Sequence, residues 1–405
     1  MWWLVRKGYY RSYHTILKYL IRLLPFPVPT LLVGPGGIGR LADEIRQKGH
    51  RRLLVVTDRA LVAIGLLDGL LTALQEAGLT VVLFDQVQPN PSIANVEQGR
   101  TLYLTQRCDG IVAFGGGSPI DCAKVIGARV SNRYRSVRGM KGLFKVWRSI
   151  PPLYCVPTTA GTGSETTVAA VISDPDRHEK FAINDLHLVP KVAVLDPEVM
   201  AGLPPALTAT TGMDALTHAV EAYIGIIGNR FTNREAEQAV RLIAANLPEA
   251  YHNGANLEAR TNMALASFAA GSAFTRAYIG YVHALAHAMG GLYGVPHGLA
   301  NAVILPSVLD FCRPAVEAKL ACLARAAGLA ADQIGEEALS YRFIAWVREL
   351  NQAMGIPACI PELREADIPL IVSRALREAH PAYPVPLIMT PSQCEGIVRG
   401  FLCPP

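Results

Sequence analysis

The sequence predicts an α/β domain on a mostly parallel sheet over residues 30–204, then an all-α domain over 205–405, with a basic, aromatic extension at 1–29. Three observations predict this. The chain has 405 residues, 51% of them hydrophobic and 18% charged, which is more than one compact core holds. Strand-like and helix-like runs alternate through the first half, the pattern of strands joined by crossover helices. After Pro204-Pro205 the strand signals nearly vanish and Ala/Leu-rich helical patterns take over. The apolar content excludes a disordered chain.

Thr30–Val33 is an apolar run ending in Gly-Pro-Gly-Gly, and Leu41–Lys48 is a helix stopped by Gly49. Arg52–Thr57 reads as a buried strand ending at Asp58. Leu66–Ala77 is a helix closed by Gly78, and Thr80–Phe84 a strand before the turn Pro89-Asn90-Pro91. Ile93–Gln106 is helical, and Gly110–Phe114 is a strand entering Gly115-Gly116-Gly117-Ser118. Leu153–Val156, Val168–Ile172 and Val192–Leu195 complete the strands; Asn233–Ala245, Ala259–Phe274 and Val316–Ala327 are helices of the second half. Ala277–Leu309 holds no Asp, Glu, Lys or Arg, but its histidines and glycines read as buried helix and turn rather than a membrane span.

The formal net charge is +5, and six bases (Arg6, Lys7, Arg11, Lys18, Arg22, Arg40) precede the first acid, Asp43. Without them 38 − 6 = 32 bases face 33 acids, which excludes a general nucleic-acid binder. Eight further bases from Lys124 to Arg148 stand without an acid between Asp121 and Glu165, the pattern of a solvated loop or an anion-attracting surface. In the extension, Trp3, Tyr10, Tyr13, Leu17, Leu20 and Leu24 fall on one helical face. That face is expected to pack on the protein itself or on a dimer mate, the alternative being weak membrane-surface contact through residues 1–28. The eight cysteines form no CxxC pair and read as reduced, mostly buried thiols of a cytoplasmic protein.

Three small-residue loops follow strands. Gly34-Pro-Gly36-Gly-Ile-Gly39 fits GxGxxG, with Asp58 nineteen residues beyond it. Gly115–Ser118 opens a helix at which Ser118 is expected to cap and Pro119 to sit first. Pro157-Thr158-Thr159-Ala-Gly-Thr162-Gly-Ser-Glu165 offers hydroxyls and bare amides. Each is also a plausible tight turn, but three at strand ends of one α/β domain point to a dinucleotide, whose pyrophosphate suits backbone N–H groups at a helix start. Asp58 suits a ribose diol and would repel a 2′-phosphate, favouring NAD over NADP.

In the second half Asp214 and His218 are four apart, as are His283 and His287, and His297 follows Gly294-Val-Pro. Residues four apart share a helix face. Imidazoles with a carboxylate suit Fe(II) or Zn(II), and the spacing leaves open which four side chains ligate. His178 and His187 fall on loops.

Taken together, Asp58, Pro89–Pro91, GGGSPID (115–121), PTTAGTGSE (157–165), LPPAL (203–207), TGMDALTHAVEAY (211–223) and HALAHAMGGLYGVPHG (283–298) resemble the iron-containing (group III) alcohol dehydrogenase family, from about Thr30 to Gly400. The resemblance implies a dinucleotide-binding first domain, a metal-binding helical second domain and a site in the cleft between them. It implies metal ligands at Asp214, His218, His283 and His297, and His287 as a non-ligand catalytic histidine that relays a proton or only orients by a hydrogen bond. It implies cofactor contacts at Asp58, Asn90, Gly116, Gly117, Ser118, Thr158, Thr159, Thr162, Lys180 and Leu207, which leaves Gly34–Gly39 as a structural turn. The implied activity is metal-dependent hydride transfer between NAD and a small primary alcohol or aldehyde, in a homodimer or larger assembly. Ala169 stands where some relatives carry a polar residue near the cofactor, which removes one contact, and the run Ala382–Pro386 departs from what many relatives carry, which bears on substrate range. The rival readings are a glycerol or polyol dehydrogenase, a dehydroquinate synthase-like lyase, and a peripheral membrane-binding module.

Overall fold

The computed structural model describes residues 2–177, 179–330 and 334–403; His178 lies outside them. In chain order the larger elements are α1 (Trp2–Leu23), β1 (Thr30–Val33), α2 (Gly37–Gln47), β2 (Arg52–Val56), α3 (Arg59–Ala63), α4 (Asp68–Glu76), β3 (Thr80–Phe84), α5 (Ile93–Thr105), β4 (Gly110–Gly115) and α6 (Gly117–Ser131). Then come β5 (Gly142–Leu143), β6 (Leu153–Pro157), β7 (Ala169–Asp174), β8 (Glu179–Asn184) and β9 (Val192–Leu195). The helices α7 (Pro205–Ile224), α8 (Arg230–His252), α9 (Leu257–Ala277), α10 (Tyr281–Tyr293), α11 (His297–Ala326), α12 (Glu336–Ala353), α13 (Ile368–Ala379) and α14 (Pro391–Arg399) follow.

These elements form two compact units: residues 26–203 with 254–264, and residues 1–25 with 204–253 and 265–405. In the first, six strands make a fully parallel sheet in the order β1-β9-β6-β4-β2-β3. Its inner strands are continuous apolar runs because helices cover both faces, so Leu53–Val56 and Ile111–Phe114 are fully buried. From β2 the chain runs outward to β3 and then returns to β4 on the other side of β2. The loops after β2 and β4 therefore diverge, opening the crevice in which such sheets bind ligands. A second sheet, β5-β8-β7, pairs β7 and β8 antiparallel. The sequence reading misses β8, whose EKFAIN mixes charge with alternating burial and carries no continuous apolar run.

The second unit is helical. Pro204 and Pro205 start α7, and Asn229 with Thr232 forms a reciprocal cap at the start of α8. The Lys319 ammonium donates to the carbonyls of Tyr223, Ile224 and Gly225 at the end of α7, at 3.0, 3.1 and 2.6 Å. The charge-free stretch becomes α10 and the start of α11, largely buried. The helix expected from Val316 is the second half of α11, which kinks at Val316 (φ −136°, ψ 21°) just after Pro314.

Two expectations are corrected here. Cys359 and Cys403 form a disulfide that closes the loop holding α13 and α14, so the thiols are not all reduced. The chain end returns to Cys359 through a hydrogen bond from Ile360 N to Phe401 O (2.9 Å), a long-range approach that spacing does not reveal. In α1 the docked face is Tyr10, His14 and Ile21, with Tyr13 and Leu17 half-buried, whereas Leu20 is 55% exposed. The face turns because Arg11 donates to the carbonyls of Val385 (2.8 Å) and Pro386 (2.5 Å), His14 Nε2 meets Pro381 O (2.9 Å), and Tyr10 packs on His380.

Candidate metal and dinucleotide sites

In the helical unit, α7 carries Asp214 and His218 on one face, α10 presents His283, and the first residue of α11 is His297. One ligand atom from each lies within 4.8 Å of every other. The Asp214 carboxylate is 3.8 Å from His283 Nε2 and 3.6 Å from His297 Nε2. The His218 ring stacks between Phe274 (4.2 Å) and His283 (4.5 Å). Asp214, His218 and His283 are buried, and His297 lies at the edge of the group with its side chain 40% exposed.

Glu221, one turn beyond His218, orients His283. Its carboxylate accepts from Gly280 N (2.8 Å), Val282 N (2.7 Å) and His283 Nδ1 (2.6 Å). With Nδ1 donating, Nε2 is the bare nitrogen turned toward Asp214. Burial pushes Glu221 up to about 7, and those backbone donors pull against it. Burial, then the neighbouring imidazoles of His218, His297 and His287, hold the His283 pKa well below its ordinary value. A metal ligand must be a neutral imidazole, which is the form this setting favours. Asn301, one turn after His297, donates to Asp214 Oδ1 (2.7 Å) and lies 3.2–3.3 Å from the Nε2 atoms of His297 and His283. One carboxylate and three imidazoles fit a borderline divalent cation.

His287 stands beside this group, stacked on His297 with ring centres 5.2 Å apart. Its Nδ1 is 2.6 Å from Glu378 Oε1, which also accepts from the Tyr383 hydroxyl at 2.5 Å. Burial works against the Glu378 carboxylate, but His287 and Tyr383 outweigh it and hold its pKa low.

In the sheet unit, the loops after β4 and β6 lie against each other. Thr158 N donates to Gly115 O (3.1 Å). A Cβ on Gly115 (φ 144°) would sit 2.6 Å from Pro119, and one on Gly117 would sit 3.0 Å from Thr162. Thr159 is likewise 3.3 Å from where a Gly116 Cβ would be. Asp121 binds this assembly, accepting from Ser164 Oγ (2.5 Å) and Val171 N (2.9 Å). Buried Lys124 donates to Thr167 and Ala169 at 2.8 Å. Asn90, at φ 59°, reaches Ser118 Oγ through its N–H (3.3 Å) and accepts from Lys180 Nζ on β8 (2.9 Å). Burial lowers the Lys180 pKa.

The helix α6 starts at Gly117 with Gly116 as its cap, so Ser118 is not the cap; its hydroxyl is turned to Asn90 instead. Asp58 caps α3 through Leu61 N (3.0 Å) at the carboxyl end of β2, the strand next to β4. At the rival loop Gly34–Gly39, the buried Asp196 carboxylate sits at the start of α2 and accepts from Ile38 N (3.3 Å). The protein's own anion fills that helix end, in line with a structural turn. Leu207 lies in the first turn of α7, in the helical unit, half exposed.

The family described as iron-containing alcohol dehydrogenase matches residues 29–197, and its C-terminal family matches 208–399. The chain belongs to the iron-containing alcohol dehydrogenase family. It is 42% identical to 1,3-propanediol dehydrogenase of Klebsiella pneumoniae over 364 residues, covering 89% of this chain and 94% of the relative. It is 37% identical to the NAD-dependent methanol dehydrogenase of Bacillus methanolicus, over 87% of this chain and 93% of the relative. A crystal structure of 1,3-propanediol oxidoreductase superposes with a TM-score of 0.90 at 39% identity, covering 93% and 99% of the two chains. The fold and the oxidoreductase class implied by the motifs are those of this dehydrogenase family.

Within that family frame, the sequence reading passes over Glu221, Asn301 and Glu378. Glu221 and Asn301 had a usable signal: each is polar, lies in an apolar helix, and sits three or four residues from a candidate ligand, facing the same way. Glu378 had none. It lies on an amphipathic helix far along the chain from His287, and only the tertiary fold joins them.

Proposed function

We propose that this dehydrogenase transfers hydride between NAD and a small primary alcohol or aldehyde, using an Fe(II), or Zn(II), held by Asp214, His218, His283 and His297. The observation that carries the reading is the convergence of one carboxylate and three imidazoles within 4.8 Å, supported from behind by Glu221. A divalent cation there supplies the Lewis acidity that lowers the pKa of an alcohol hydroxyl and polarises an aldehyde carbonyl. The chain's own residues do the rest. Backbone N–H groups of Gly116–Ser118 at the start of α6 suit a pyrophosphate, and Thr158, Thr159 and Thr162 add hydroxyls. Asn90 and Lys180 form a linked polar pair beside Ser118. Leu207, half exposed in the first turn of α7, offers an apolar side chain suited to a cofactor. The Glu378 carboxylate accepts a hydrogen bond from His287 Nδ1–H, which leaves Nε2 as the acceptor for the hydroxyl proton. The experiment is a 340 nm assay of the purified protein with NAD across small alcohols and aldehydes, paired with elemental analysis. Turnover that survives complete removal of metal would overturn the reading.

Two further outcomes are expected. Glu378→Ala retains metal and lowers kcat by about tenfold, with the pH profile of kcat altered, because His287 loses the partner that sets its tautomer; an unchanged kcat and profile removes His287 from proton transfer. Asp58→Ser raises the KM for NAD about tenfold and narrows the preference over NADP, since the carboxylate no longer holds the diol or repels a 2′-phosphate. Equal loss for both cofactors would assign Asp58 to capping α3 alone.

A further inference from the structure

Helix α1 is docked by one face and exposes another. The exposed face carries Val5, Tyr9, Ile16, Tyr19, Leu20 and Leu23, each between 55% and 79% exposed. At roughly 100° per residue these positions fall in one straight stripe, with Val5 and Leu23 in line about five turns apart. Arg6 and Arg22 border the stripe about 100° to either side of it, and Lys18 and Lys7 lie beyond Arg22. No acidic residue occurs before Asp43 to answer these charges. The docked face is separately secured by Tyr10, His14, Ile21 and the Arg11 hydrogen bonds, so the stripe is not needed to hold α1 in place.

An apolar stripe with tyrosines, interrupted by Ser12 and flanked by Arg6 on one side and by Gly8, Thr15 and Arg22 on the other, has the composition of a helix that lies in a lipid interface. A second copy of the same stripe would bring unopposed arginines and lysines together, which disfavours self-association through this face. We propose that α1 is an anionic-membrane docking surface: the stripe enters the headgroup boundary while Arg6 and Arg22, on its two flanks, meet lipid phosphates. Binding through this surface positions the enzyme at a bilayer without a spanning segment.

The test is co-sedimentation of the full chain with vesicles of phosphatidylcholine alone, or with about one-third phosphatidylglycerol. Expected is at least tenfold (~10×) stronger partitioning to the anionic vesicles, falling several-fold as ionic strength rises from about 0.05 M to about 0.5 M. Ile16→Glu with Leu20→Glu abolishes binding, and Arg6→Gln with Arg22→Gln weakens it about tenfold; in both, far-UV circular dichroism and solution mass stay unchanged. Three results would overturn the proposal. One is no binding to anionic vesicles at low ionic strength, and another is equal partitioning to both vesicle types. The third is a fall in oligomer mass for the Ile16/Leu20 variant, which would make the stripe an interface between copies.

Discussion

His283→Ala loses its metal and lowers kcat/KM by about 10²–10³-fold or more, the equivalent of about 3–4 kcal/mol of transition-state stabilisation. The expectation follows from how the residue is held. His283 is buried between the stacked His218 ring and Asp214, and its Nδ1 is engaged by a carboxylate that also receives two backbone N–H groups. The nearest further imidazole, His287, has its ring centre 6.0 Å away and is held by Glu378. Glu221→Gln separates ligation from orientation: all four donors remain, but the amide no longer enforces the Nδ1–H form, and metal affinity is expected to fall about 10–100-fold. Metal content by elemental analysis, read beside kcat/KM, checks both. A His283→Ala protein that keeps full metal occupancy would show that the cation sits elsewhere.

Gly298→Ala is expected to cost about 1–3 kcal/mol of stability and about tenfold or more in metal affinity, although residue 298 ligates nothing. A Cβ there would lie 2.4 Å from the Thr210 carbonyl oxygen and 2.9 Å from its carbon. Both are backbone atoms of α7, so no rotamer relieves the clash. The first turn of α11 must move away from α7, carrying His297 from its 3.6 Å separation from Asp214. Gly396→Ala is the control: it lies in α14 with nothing within 4 Å of its Cβ, and gains about 0.5–1 kcal/mol from helix propensity. Thermal unfolding and metal titration of the two variants separate the effects. Native stability and affinity in Gly298→Ala would mean that α7 and α11 can part without disturbing the donors.

Much of the fold and part of the site are legible from residues alone, for identifiable reasons. A strand buried on both faces must be apolar throughout, so LLVV, IVAF and VAVL announce the parallel sheet. Helical periodicity places Asp214 with His218 on one face, and glycines mark where two loops must approach closely. Where the periodicity weakens, the reading fails: β8 alternates charge and burial, and α1 is apolar on two faces, so its spacing could not say which face docks.

Local pattern by itself determined the sheet, the helical second half, the glycine loops and the types of residue that could hold a cation. Only tertiary structure decided that Glu221 and Asn301 back the four donors, that Glu378 holds His287, that Cys359 pairs with Cys403, and that Asp196 fills the helix end beside Gly34–Gly39. The reason is one of range. Side chains a turn apart on a helix meet whatever the rest of the chain does, whereas His287 and Glu378 meet only because α13 packs against α10. Such distant pairings follow from how whole helices pack, and that packing sums many weak contacts which no short window of sequence contains.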